Sequence, residues 1–148
     1  MDDFERTPGG AILMDGNRLR DETVVRIRQE IEAMGSPAVC LATVLVGGDK
    51  PSQIYVRMKH KKLGEAGMVS KGVELPEEAT QAEVEAAVAE LVADPSVHGI
   101  LVQLPLPAHL NPEPVLALVP PEKDVDGLTE RSMGRLVRGL PGHVPVSY

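Results

Sequence analysis

Residues 39–46, Val-Cys-Leu-Ala-Thr-Val-Leu-Val, are almost wholly apolar. A run of that length suits a strand buried on both faces, as a parallel sheet requires. Such a strand constrains its surroundings, because each face must be covered by helices. The chain supplies helical segments in alternation with further strands. Over residues 17–34, Leu19, Val24, Ile27, Ile31 and Met34 recur at helical spacing, and Gly35 makes a good stop. Gly47-Gly48-Asp49-Lys50-Pro51 is a turn into a second helix, with Ser52 as its expected N-cap and Gly67 as its end. Residues 69–75, closed by Pro76, read as a weaker strand. Thr80-Gln81-Ala82-Glu83 is a capping box, and Val84, Val88, Leu91 and Val92 behind it predict a helix over 80–93. A third strand is expected over 99–104, stopped by Pro105 and Pro107. Asn111-Pro112 opens a short helix over 112–119, a charged loop follows at 122–127, and a last short helix is expected near 133–137.

This order predicts an α/β fold: a three-layer arrangement, a mostly parallel sheet with helices on both faces, joined by right-handed crossovers. Residues 1–11 are polar and glycine-rich and are expected to form a loose, flexible arm, leaving 12–148 as one domain. Ligands of open parallel sheets bind beyond the carboxyl ends of the strands. Here those ends are the loops 47–52, 75–80 and 103–107.

Composition narrows the function. The chain has 148 residues, of which 43% are apolar but only 2% aromatic, so its core must be aliphatic. Fifteen basic against 22 acidic residues give a net charge of −7, which argues against a nucleic-acid partner. Cys40, the one cysteine, reads as a small buried hydrophobe, and no disulfide or thiolate metal site can be built. His60, His98, His109 and His143 lack ligand-like spacing, so no metal is expected. The acidic start has no apolar signal region and no run reaches membrane-spanning length, so a soluble cytoplasmic protein without a membrane partner is expected. Neither Gly-x-Gly-x-x-Gly nor a Walker loop occurs.

Tyr55 and Lys59 lie four apart, hence on one face of the second helix. Two readings fit: a half-buried tyrosine beside a solvated lysine, or a ring and an amine serving a planar ligand. Arg57, Lys59, His60, Lys61 and Lys62 crowd positive charge there. Neighbouring cations and partial burial lower a lysine pKa and suit it to acid–base work, and the same cluster could hold an anionic substrate tail. Gln103 is an amide in an apolar strand, needing either a structural loop partner or a role in holding Lys59 or a ligand. Asp124-Val125-Asp126-Gly127 is either a solvated turn or a loop-edge carboxylate able to accept from an N–H-rich heterocycle. The rest of a calcium loop is missing.

Together, Val46-Gly47, the stretch from Ser52 to Lys59 (Ser-Gln-Ile-Tyr-Val-Arg-Met-Lys), Gly99-Ile100-Leu101-Val102-Gln103-Leu104-Pro105-Leu106-Pro107 and Pro121-Glu122-Lys123-Asp124-Val125-Asp126-Gly127-Leu128 form a pattern. It resembles the bifunctional methylenetetrahydrofolate dehydrogenase/methenyltetrahydrofolate cyclohydrolase family, from about residue 10 to the end. The resemblance implies a site for tetrahydrofolate derivatives. In it Tyr55 stacks on the folate rings, Lys59 is the catalytic lysine, Gln103 supports it, and Asp126 binds the pterin end. Ser52 and Pro105 line the site. It also implies NADP as cofactor and a homodimer. The family's second, Rossmann-type domain is expected to be absent here: its usual Pro-Cys-Thr-Pro junction is replaced at Val146 and Ser147. NADP then has no site in this chain. The alternative is a non-catalytic folate-binding or dimerisation module.

Overall fold

The computed structural model describes residues 5–48 and 50–144. Residues 1–4 of the expected arm, Asp49 of the turn and the junction at 145–148 lie outside the described residues. The element order is α1 (Gly16–Ala33), β1 (Cys40–Val46), α2 (Lys50–Glu65), β2 (Val69–Leu75), α3 (Gln81–Ala93), β3 (Gly99–Val102), α4 (Pro112–Ala117) and α5 (Glu130–Val137). The three strands form one sheet in the order β2-β1-β3, and both pairings are parallel. The expected α/β architecture is therefore observed.

β1 is central because its residues tolerate burial on both sides. Alternate side chains Cys40, Ala42, Val44 and Val46 join a cluster with Val84, Val88 and Leu91 of α3, Ile100 and Val102 of β3, and Val115 of α4. The intervening Thr43 points the other way and meets His60 of α2, its Oγ1 standing 2.8 Å from Nε2. So α2 and α3 cover opposite faces of one strand. α3 begins as its sequence directs: the Thr80 hydroxyl accepts from the Glu83 N–H, and the Glu83 carboxylate accepts from the Thr80 N–H. Gln81 and Asn111 exchange two hydrogen bonds, 3.0 and 2.9 Å, that lock the start of α3 to the start of α4.

Several boundaries differ from the pattern. Ser52 is not the cap of α2; that helix begins at Lys50 and holds Ser52 buried in its first turn. Strand β3 ends at Val102, although the Gln103 N–H still reaches Val44 O at 2.8 Å, because Pro105 has no N–H with which to continue. α4 stops at Ala117, its last carbonyls taken by the tighter bonds Leu118 N–H to Val115 O and Val119 N–H to Leu116 O. α5 starts earlier than expected because Thr129 caps it, accepting from the Ser132 N–H. On α1 only Ile31 of the apolar stripe is buried, while Leu19 and Met34 are exposed. Residues 5–11 of the stretch read as a flexible arm take part in a hairpin with the residues that follow, with Leu13 N–H donating to Glu5 O at 2.8 Å and a bridge between Arg6 and Ile12.

Candidate functional site

Three loops converge at the carboxyl end of the sheet. Gly47, at a positive φ of 85°, turns the chain out of β1, and a Cβ there would lie 3.4 Å from Pro107 and 3.7 Å from the backbone of Glu77. Its N–H donates to Leu75 O at 2.9 Å. A side chain at this point would strain the backbone and push the three loop mouths apart.

At this end, α2 and β3 bring together two residues 44 apart in sequence. Lys59 Nζ donates to Gln103 Oε1 at 3.3 Å. The amide's orientation is settled by its other end, since Gln103 Nε2 donates to Leu104 O at 2.8 Å. The oxygen is thereby left for the ammonium. Lys59 also lies 5.8 Å from the centre of the Tyr55 ring, within cation–π range. Tyr55 is 59% exposed, so the ring offers a flat apolar surface to solvent. Pro105 is exposed and follows Leu104 through a cis peptide bond.

The third contribution is the loop 123–129. Lys123 reaches back to the end of α3 and donates to Val92 O at 2.9 Å and Asp94 O at 2.8 Å, closing carbonyls that the helix leaves open. Lys123 O accepts from the Ile100 N–H at 2.7 Å, fastening the loop beside β3. The buried Asp124 then accepts from the N–H groups of Gly127 (2.9 Å) and Thr129 (3.1 Å) and from the Ser132 hydroxyl (2.7 Å). Burial pushes the Asp124 carboxyl up, but these donors outweigh it and hold the group below the usual carboxylate value. Gly127, at a φ of 68°, makes the reversal that closes this cage.

Asp126 sits two residues beyond and faces a different environment. Partial desolvation raises its carboxyl above the ordinary value, Lys59 pulls it back down, and Asp124 adds to the rise. The arrangement thus brings Lys59, Gln103, Tyr55 and Asp126 to one rim: an amine tethered by an amide, over a ring, in the field of a carboxyl with a raised affinity for its proton. Ser52, in the first turn of the same helix as Lys59, is buried. Among the described residues no three His, Cys, Asp or Glu side chains gather as a metal site.

Two supporting contacts of α2 and the 123–129 loop were not read from the sequence. His60 is half-buried and rests on Gly72, where a Cβ would meet its ring at 2.9 Å, and it pairs with Thr43. A polar residue inside an otherwise apolar strand was the available signal. The Asp124 cage was also missed; its signal was a charged pair next to an apolar strand and followed by Thr129 and Ser132.

Residues 14–126 match the family described as tetrahydrofolate dehydrogenase/cyclohydrolase, catalytic domain. The chain belongs to the tetrahydrofolate dehydrogenase/cyclohydrolase family. It is 45% identical over 138 residues to the bifunctional protein FolD of Caulobacter vibrioides, covering 91% of this chain and 46% of that protein. The bifunctional FolD methylenetetrahydrofolate dehydrogenase/cyclohydrolase from Campylobacter jejuni is similar in structure, with a TM-score of 0.83, 39% identity, and coverage of 88% of this chain and 48% of that one. So is the Trypanosoma brucei methylenetetrahydrofolate dehydrogenase-cyclohydrolase, solved with NADP and an inhibitor, with a TM-score of 0.86, 33% identity, and coverage of 91% and 48%. The chain spans about half the length of the family members it matches. Among its described residues no helix is long and apolar enough to cross a membrane.

Proposed function

We propose that the chain carries the folate-handling half of an enzyme interconverting 5,10-methylene-, 5,10-methenyl- and 10-formyltetrahydrofolate. The observation that carries this reading is the Lys59 ammonium tethered to Gln103 with the Asp126 carboxyl in its field. A methenyl carbon bridging two nitrogens is cationic and attracts water. Water adds to it and loses a proton, leaving a hydroxyl on that carbon. The carbon–N5 bond then breaks as N5 takes a proton, and the hydroxyl releases its own proton to become the formyl oxygen. The protein must therefore place one group that accepts a proton and returns it. Lys59 has that role, and Gln103 fixes where its nitrogen stands. Tyr55 stacks on the heterocycle and sets its plane. Asp126 meets the N–H-rich pterin end, Ser52 and Pro105 complete the lining, and Arg57 and the nearby lysines face the glutamate tail.

The residues of the β1–α2 turn do not fit a nicotinamide dinucleotide. Gly47 is closed against Pro107, and Pro51, in the first turn of α2, has no N–H to offer a phosphate. The family's hydride transfer to NADP is not assigned to this chain. A homodimer and a cytoplasmic location follow from the family and are part of the same proposal; light scattering tests the dimer and cell fractionation the location.

The test is a cyclohydrolase assay on this chain. Hydrolysis well above background, lost in Lys59→Ala with folate binding retained, supports the enzyme. Background rates in the wild type with folate binding intact favour a binding or dimerisation module instead. Tyr55→Ala should weaken folate binding without a matching loss of thermal stability, and equal loss of both counts against stacking.

A further inference from the structure

Away from the folate rim, α5 and the start of the 121–129 loop border an open hollow of about 320 Å³. Its walls include Arg131 and Arg135 of α5 and Arg138, the residue that caps its carboxyl end, together with Pro121, Glu122 and Leu140. The spacing of the arginines, four and then three residues, puts all three on one side of the helix. In a chain with a net charge of −7 this is a concentrated block of positive charge, three guanidiniums against the single carboxylate of Glu122 on the wall.

These arginines also differ from those at the other end of the chain. Arg18, Arg20 and Arg26 pair with Glu22, Asp21 and Glu30, and Arg28 donates to Glu65 O. Among the described residues Arg131, Arg135 and Arg138 have no ion pair and no side-chain hydrogen bond, although all three are exposed. The stem of Arg135 is held under the returning chain, where a Cβ on Gly142 would lie 3.4 Å from Cδ. A guanidinium presents paired donors that match the oxygens of a phosphate or a carboxylate. At an exposed site one such contact is weak and screened by salt, so useful affinity needs several contacts from a single ligand.

We propose that this hollow binds a small multivalent oxyanion, one carrying at least two phosphate or carboxylate groups. The site shares no lining residue with Lys59, Gln103, Tyr55 or Asp126, so it stands or falls separately from the folate reading.

The experiment titrates this chain with tripolyphosphate and with citrate by calorimetry, at low and at physiological ionic strength. Saturable one-to-one binding is expected, with a Kd below about 1 mM at low salt and weaker at high salt. A preference for tripolyphosphate assigns the natural ligand to phosphates, and a preference for citrate assigns it to carboxylates. The Arg131→Gln/Arg135→Gln/Arg138→Gln variant should bind at least about tenfold more weakly, and Arg131→Gln alone about threefold. A charge-matched control, Arg20→Gln/Arg26→Gln/Arg28→Gln on α1, should bind as the wild type does. No saturable binding of either anion overturns the proposal, as does an equal loss in the α1 control. The single variant keeps the test valid if the triple variant folds poorly.

Discussion

Lys59 Nζ and Gln103 Oε1 stand 3.3 Å apart because the other end of the amide is occupied by Leu104 O. Replacing the amide with an apolar side chain of similar size keeps the lysine but removes the tether that positions its nitrogen. Under the proposed chemistry Lys59→Met should reduce cyclohydrolase kcat by about 10²- to 10⁴-fold, the range of a lost acid–base group. Gln103→Leu should reduce it less, by about tenfold, through misplacement of the amine. Both variants should keep a cooperative thermal transition, and kinetics beside a melting curve checks this.

The Asp126 carboxyl should titrate above the ordinary aspartate value, with desolvation as the leading cause. A raised carboxyl contributes most to stability below its unfolded pKa, and that contribution is lost as pH rises through the folded value. At neutral pH the ionised group therefore works against folding, and Asp126→Asn should raise the melting temperature while weakening folate binding. In Lys59→Met the Asp126 pKa should move further up, since the opposing cation is gone. Carboxyl-carbon NMR titration reads both shifts; an Asp126 value below about 3.9 would contradict the local electrostatics.

Gly99 opens β3 directly beneath the loop that carries Asp126. A Cβ there would fall 2.5 Å from Val125 Cγ1 and 3.1 Å from Leu41 Cδ1. Gly99→Ala must push Val125 outward and take Asp126 with it. We expect a loss of about 1–3 kcal/mol in stability from overpacking and a clear weakening of folate binding, measured by denaturant titration and by calorimetry.

His60 gives a similar test on the same face of the sheet, at the β1–β2 pairing. Gly72→Ala places a methyl 2.9 Å from the His60 ring, which must move away from Thr43. Thr43→Val removes the same hydrogen bond without the crowding. Each should cost about 1 kcal/mol, and the double variant should cost less than the sum, since both break one contact. Additive losses in chemical denaturation would show that the pairing is not shared.

Asp124→Asn tests the loop cage. An amide in place of the carboxylate cannot accept at all the positions now filled by Gly127, Thr129 and Ser132. A loss of about 1–3 kcal/mol is expected, together with faster amide exchange at Gly127 and Thr129.

Local pattern was enough to read the layers. The unbroken apolar run of β1, the capping box at Thr80 and the alternation of elements all act over a few residues. The shared rim of Lys59 and Gln103 followed from topology, because the carboxyl ends of parallel strands meet on one edge. What escaped depended on distant partners. Ser52 has the chemistry of a cap, yet α2 starts two residues earlier and buries it. Lys123 reads as a loop charge until α3, about 30 residues upstream, is seen to end within its reach. The helical spacing of the α1 stripe gave the helix, but not that only Ile31 of it would be buried.

β2 is the outermost strand, with β1 on one side and no further strand beyond it among the described residues. Its unused amides and carbonyls are therefore a template on which another extended chain could grow. What guards this border is charge: Lys71, tied to Asp94 at 2.8 Å, and Glu74 two positions from the strand's middle. Concentrated salt or neutralisation of those two side chains should thus turn a dispersed protein into one that self-associates edge to edge.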